Sequence, residues 1–207
     1  MRTRLLAGVL CLVAAAPSMA ADDETGGPGV TDAIRDNAVG LKDRTVEATG
    51  NAMDYAGRIL DEGDNVLYLS GYAHHGRDTY SREKIESFNE TAWGAGFGRT
   101  LIDRNGNSDT LFGLAFLDSH EDVEAQVGYA REWRWQFSEK GAVGAGFVAM
   151  MVSRSDIFNH FPFPVILPLA SLEIDRVALM ASYVPRITGD GGNGDVLYLF
   201  GRINLGR

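Results

Sequence analysis

The sequence predicts an all-β protein: an eight-stranded antiparallel up-and-down transmembrane β-barrel preceded by an N-terminal amphipathic α-helix. Three observations carry that expectation. From Asn65 to the C-terminus apolar residues recur with a period of two, in segments long enough for a tilted bilayer crossing of ~9–11 residues. The connections between those segments alternate between short and long. Beyond the N-terminus no apolar run reaches helix-spanning length, as expected where lipid-facing residues occupy only every second position.

Residues 1–20 read as a signal peptide. Arg2 and Arg4 supply a basic start, Leu5 to Ala16 is an uncharged apolar stretch, and Ser18-Met19-Ala20 offers small residues before a cut at Ala21. The apolar stretch is shorter than the roughly 20 residues that span a bilayer. Cys11 follows Leu10 rather than a small residue and does not read as a lipidation site. It is the single cysteine of the 207 residues, so its removal leaves a chain that can form no disulfide. Cleavage also removes two arginines from a chain whose formal charge is already -9. Such an acidic balance argues against a nucleic-acid partner, which calls for a basic surface.

Residues 21–63 read as a linker and an amphipathic periplasmic helix. Gly26-Gly27-Pro28-Gly29 is a breaker-rich connector. From Thr31, a plausible N-cap, Ile34, Ala38, Leu41, Ala48, Ala52, Ala56 and Ile59 recur at helical steps, with Asp36, Lys42, Arg44 and Glu47 mostly off that stripe. Gly40 and Gly50 weaken the helix, and Gly50-Asn51 is where a break would fall. A helix on a soluble core and a helix lying in a membrane interface fit this stripe equally.

Residues 64–207 read as the barrel. The expected strands are Val66–Arg77, Thr91–Ile102, Thr110–Asp118, Val123–Phe137, Ala142–Ser153, Phe163–Ile174, Val177–Arg186 and Val196–Leu205. Asp78–Glu90, Arg154–Pro162 and Ile187–Asp195 are long connections at one end, with Ser119–Asp122 the short exception. Asp103–Asp109, Ser138–Gly141 and Asp175-Arg176 are the turns at the other. Strand four shows the faces best: Val123, Val127, Tyr129, Trp133 and Trp135 share one parity, and Glu124, Gln126, Ala130, Glu132 and Arg134 the other. Arg131 interrupts the apolar parity, with snorkelling to an interface as its only reading.

Strands three and five are apolar or small on both faces: Phe112, Leu114 and Phe116 against Leu111, Gly113 and Ala115, and Val143, Ala145 and Phe147 against Gly144, Gly146 and Val148. A water-filled pore needs one polar parity throughout. This pattern implies a partly greasy interior, suited to an acyl chain or filled by its own side chains.

Up-and-down connectivity brings the ends of strands one and three to the same rim, and with them His75 and the pair Asp118-Ser119. An imidazole, a carboxylate and a hydroxyl can together activate an oxygen nucleophile. Polar rim residues and a turn-starting serine are the bland reading, and His74 rivals His75.

Phe88-Asn89-Glu90 followed by Trp93-Gly94-Ala95-Gly96-Phe97-Gly98, then Ala115-Phe116-Leu117-Asp118-Ser119, Gly128-Tyr129 and Pro162-Phe163-Pro164-Val165-Ile166-Leu167-Pro168-Leu169-Ala170-Ser171, resemble the lipid A palmitoyltransferase (PagP) family. The likeness runs from about Leu69 to near the C-terminus. It implies an outer-membrane acyltransferase that moves an acyl chain, usually palmitate, from a glycerophospholipid to lipid A, as a monomer among outer-membrane lipids and without metal or soluble cofactor. It also implies that His75 is the catalytic histidine, with Asp118 and Ser119 completing the site. Pro168 and Pro185 are implied as a lateral lipid gate, since proline gives no ladder N–H.

The sequence departs from the family at several points. A second pair of gate prolines is replaced by Ser70 and Ala92, which puts that opening in doubt. The family's glycine at the acyl-pocket floor is Ala130, whose methyl is expected to favour a chain slightly shorter than palmitate. The helix is longer than the family's, and the chain ends Leu205-Gly206-Arg207 rather than in an aromatic residue. The rival functions are a non-enzymatic small outer-membrane barrel, serving as an adhesin, stability element or lipid-binding protein, and a soluble periplasmic lipocalin-like barrel. The gate prolines and apolar interior faces argue against the former.

Overall fold

A computed structural model describes residue 44 and residues 47–78, 83, 90–117, 122–155, 160–186 and 195–207. The expected signal peptide and linker and the proposed N-cap Thr31 lie outside these residues. The chain divides into two units, Met1–Tyr55 and Ala56–Arg207.

In the first unit residues 47–55 are helical, and Gly50 and Asn51 lie inside the helix rather than at a break. One glycine costs a helix about 1 kcal/mol, which neighbouring strong helix formers such as Ala48, Ala52 and Met53 offset. No described helix is long and apolar enough to cross a membrane.

The second unit starts with helical residues 56–62 and continues as a closed barrel. Its strands are β1 (Asp64–His75), β2 (Gly94–Ile102), β3 (Ser108–Leu117), β4 (Val123–Gln136), β5 (Gly141–Ser153), β6 (Phe163–Ile174), β7 (Val177–Val184) and β8 (Val196–Gly206). Each pairs antiparallel with its neighbour in sequence, and β8 closes on β1 from Asn65↔Gly206 to His75↔Val196. Ile59, 1% exposed, anchors the helical turn before β1. Gly63 follows, donating its N–H to the Ile59 carbonyl at 3.1 Å. A Cβ there would lie 2.5 Å from that oxygen and 2.8 Å from the Thr100 carbonyl, so the close approach requires glycine.

The strand ends differ from expectation for local reasons. β3 begins earlier, because Ser108 and Asp109 pair with Glu132 and Arg131 of β4. β2 begins at Gly94, with Thr91 reduced to an isolated bridge to Tyr72. β7 stops at Val184, leaving Pro185 and Arg186 outside the ladder, as proline's missing N–H dictates.

The two parities of β4 separate as expected: Val123, Val127, Trp133 and Trp135 are exposed, while Glu124, Ala130 and Glu132 are buried. Two apolar clusters lie inside the barrel. One joins Ala130, Val148, Leu167, Leu169, Ala178 and Met180, and the other Val66, Tyr68 and Leu114. Towards the short turns the interior becomes polar. Arg202 binds Glu132 at 2.6 Å and Glu173 at 2.9 Å, and Arg134 pairs with Glu173. Ser108 and Ser171 donate hydroxyls to Glu132. A buried carboxylate carrying this many partners satisfies the condition for charge inside a protein.

Arg131 does not snorkel as expected. Its guanidinium donates to both oxygens of Asp109, at 2.8 and 2.7 Å, and to Asp103 at 3.1 Å. The Tyr129 hydroxyl also donates to Asp109, which is 0% exposed. The charge that breaks the outer apolar parity is thus neutralised by carboxylates from β3 and its preceding turn.

Candidate active site at the long-loop rim

β1 and β3 run in the same direction, so His75 and Leu117, their last residues, lie at the end of the barrel opposite the short turns. Asp118 and Ser119 follow Leu117 directly and lie outside the described residues.

Which histidine faces inward is decided by a bulge. Val66 and Tyr68 are buried in the inner apolar cluster, which puts even-numbered residues of this part of β1 on the inside, and the backbone register continues to Ser70↔Phe200. The register then shifts: Tyr72 pairs with Leu199, and Gly71 is the extra residue between. Beyond the shift the odd positions turn inward. Tyr72 is exposed, whereas His75 is only 5% exposed and pairs with Val196. Without the bulge His74 would take the inner face. A Cβ on Gly71 would sit 2.7 Å from the Leu199 carbonyl, so this bulge needs glycine.

Glu90, just before β2, meets His75. One carboxylate oxygen lies 3.5 Å from His75 Nδ1 and accepts the His75 backbone N–H at 3.2 Å. The other accepts the Tyr72 hydroxyl and Arg77 Nη2, the latter at 2.9 Å. Burial pushes the Glu90 carboxyl up, but Tyr72, Arg77 and the His75 amide outweigh it and hold it down at about 2. Sequence reasoning did not single out Glu90 as a site residue, because only the bulged pairing of β1 with the β2 lead-in brings it to the histidine.

The ladders flanking the rim are uneven. The β6–β7 ladder runs from Leu169↔Ser182 to Ile174↔Val177, so its regular register ends at Leu169. Pro168 stands at that boundary, still paired to Phe147 of β5. Its carbonyl accepts the Ser182 hydroxyl at 3.0 Å. Between β1 and β2 regular pairing ends at Leu69↔Ala95. There the Ala92 N–H donates to the Gly71 carbonyl at 3.1 Å, and the Ala73 N–H to the Glu90 carbonyl at 2.9 Å.

Ala130 is 6% exposed within the larger apolar cluster. On the same inward parity, two residues nearer the short turns, stands Glu132 with its arginine partner. The interior therefore passes from hydrocarbon-like to ionic within one strand repeat below Ala130. Among the described residues no cluster of histidine, cysteine or carboxylate side chains could hold a metal ion.

The family model described as "Antimicrobial peptide resistance and lipid A acylation protein PagP" matches residues 56–202. A protein of Bordetella pertussis (strain CS) named "Lipid A acyltransferase PagP" is 45% identical over 145 residues, covering 70% of this chain and 78% of that protein. A protein of Legionella pneumophila (strain Paris) with the same name is 43% identical over 145 residues, covering 70% of this chain and 76% of its own length.

Proposed function

The chain belongs to the PagP family, and from that premise we propose that it is a monomeric outer-membrane acyltransferase moving an acyl chain from a glycerophospholipid to lipid A. The observation that carries this reading is the interior itself. The apolar side chains lining the interior give way below Ala130 to the buried Glu132–Arg202 ion pair, a lining that suits a chamber for a single hydrocarbon chain and not a water-filled pore.

In this reading the short turns face the periplasm and His75 lies at the outer rim. His75 takes the proton of a lipid A hydroxyl, or of Ser119 if an acyl-enzyme forms. The hydroxyl oxygen attacks the donor's ester carbonyl, the bond to the glycerol oxygen breaks, and the proton passes to that oxygen to release a lysophospholipid. If Ser119 is acylated first, a second exchange passes the acyl group to lipid A. Asp118 orients or stabilises the imidazole. The β6–β7 boundary at Pro168, with Pro185 beyond β7, provides the lateral entry for lipid. The Ala130 methyl shortens the chamber, favouring an acyl chain slightly shorter than palmitate.

The test is mass spectrometry of lipid A from cells with and without the gene. One added acyl chain, present only with the gene, supports the reading. Unchanged lipid A in cells that hold the folded barrel in their outer membrane contradicts it.

A further inference from the structure

The contacts around Glu90 go beyond the histidine, aspartate and serine assigned above. We infer that Glu90 is a positioning residue for His75: its carboxylate fixes the imidazole through Nδ1 and stabilises the positive charge that forms when Nε2 takes a proton.

The geometry has three parts. Glu90 Oε1 faces both the ring Nδ1 and the backbone N–H of the same histidine, so the carboxylate is referenced to the main chain that carries the ring. Tyr72 and Arg77 hold the second oxygen from either side of His75 in sequence, which removes the carboxylate's rotational freedom. The Glu90 main chain is itself tied to β1, where its carbonyl accepts the Ala73 N–H. A carboxylate gripped in this way behaves as a fixed charge rather than a mobile surface group.

The Nδ1 separation of 3.5 Å is long for a hydrogen bond, and short enough for a strong charge interaction once the ring is protonated. Catalytic contacts often tighten when substrate binds. Among the described residues the other charged group acting on the ring is Arg77, whose guanidinium is engaged by Glu90; Asp195 lies on the β8 side, where its backbone carbonyl accepts the Gly76 N–H. His74 lies on the opposite face of β1. Asp118 lies outside the described residues.

This inference rests on His75 being the catalytic base, and the experiment separates the two claims. Full-length protein in detergent micelles is assayed with a diacyl phospholipid donor and lipid A, as wild type, Glu90→Gln, Glu90→Asp and His75→Ala. Heat-modifiable mobility verifies that each barrel is folded. Glu90→Gln keeps the shape and loses the charge. The expected result is a fall in kcat of about tenfold or more at unchanged KM, with partial rescue in Glu90→Asp. The acid limb of the pH–rate profile moves to lower pH by about one unit, because an uncharged neighbour no longer favours the imidazolium. Wild-type kcat and pH profile in Glu90→Gln, with His75→Ala inactive, overturn the Glu90 role and leave the histidine in place. Full activity in His75→Ala overturns both.

Discussion

The Ala92 N–H donates to the Gly71 carbonyl at 3.1 Å, tying the β2 lead-in to β1 beyond the end of their regular ladder. A proline at that position could not donate. The boundary between β1 and β2 is therefore stitched here, whereas the regular β6–β7 ladder ends at Leu169↔Ser182. Ala92→Pro removes one hydrogen bond and is expected to lower stability by ~1 kcal/mol. Denaturant unfolding in detergent measures the loss, and faster amide exchange at Ala73 locates it. An unchanged midpoint and unchanged exchange contradict the role assigned to this bond.

Gly71 selects His75 over His74 through the bulge. Gly71→Ala places a methyl against the Leu199 carbonyl, and since that neighbour is backbone, the strand itself must move. Transferase activity is expected to fall about 100-fold, the scale of a misplacement near 1 Å at a reacting group. A steady-state assay on the folded variant reads this, and wild-type kcat contradicts it.

Ala130 and the ionic floor beneath it set the depth of the chamber in the proposed function. Ala130→Gly removes one methyl from the buried apolar cluster and is expected to lengthen the preferred acyl chain by about one methylene. Competition among donors of graded chain length gives the preference directly. An identical preference in the variant shows that the limit lies elsewhere.

Arg202 and Glu132 are almost fully buried, at 5% and 1% side-chain exposure. Arg202→Ala leaves Glu132 charged without its ion-pair partner and is expected to cost about 3–5 kcal/mol. The double change Arg202→Met with Glu132→Gln is expected to cost less, because no buried charge is then stranded. Unfolding curves for the two variants decide the order.

Glu90 gives a pH dependence of defined sign. Its carboxyl sits at about 2 in the folded protein against an ordinary value of 4.5. Its contribution to stability is complete above pH 4.5 and is lost as pH falls through the range down to about 2. Glu90→Gln removes this part of the acid sensitivity. Acid titration of wild type and variant, followed by near-UV circular dichroism, measures the difference.

Much of the barrel is legible in the sequence because the period-two pattern has a simple physical origin. In β4 the alternation of Trp133 and Trp135 with Glu132 and Arg134 records which face is turned outward and which inward. The lengths of the connections add the up-and-down order. What alternation misses is anything that interrupts it. The Gly71 bulge shifts parity by one residue, so the inward histidine follows from pairing with β8 rather than from counting along β1. Arg131 looks like an error in its strand until β3 supplies Asp109 beside it. Glu90 carries no periodic signal at all, since it lies before its strand and reaches His75 only through the β1–β2 closure. The helix across Gly50 shows the converse: a local breaker signal is outweighed by the helix formers around it.

The central claim is acyl transfer to lipid A with His75 as the base. Its most direct test is mass spectrometry of lipid A from cells lacking the gene, complemented with wild type or with His75→Ala at equal amounts of folded barrel in the outer membrane. The account predicts one added acyl chain with wild type and none with His75→Ala. Equal acylation by both proteins contradicts the assignment of the base, and no acylation by either contradicts the activity itself.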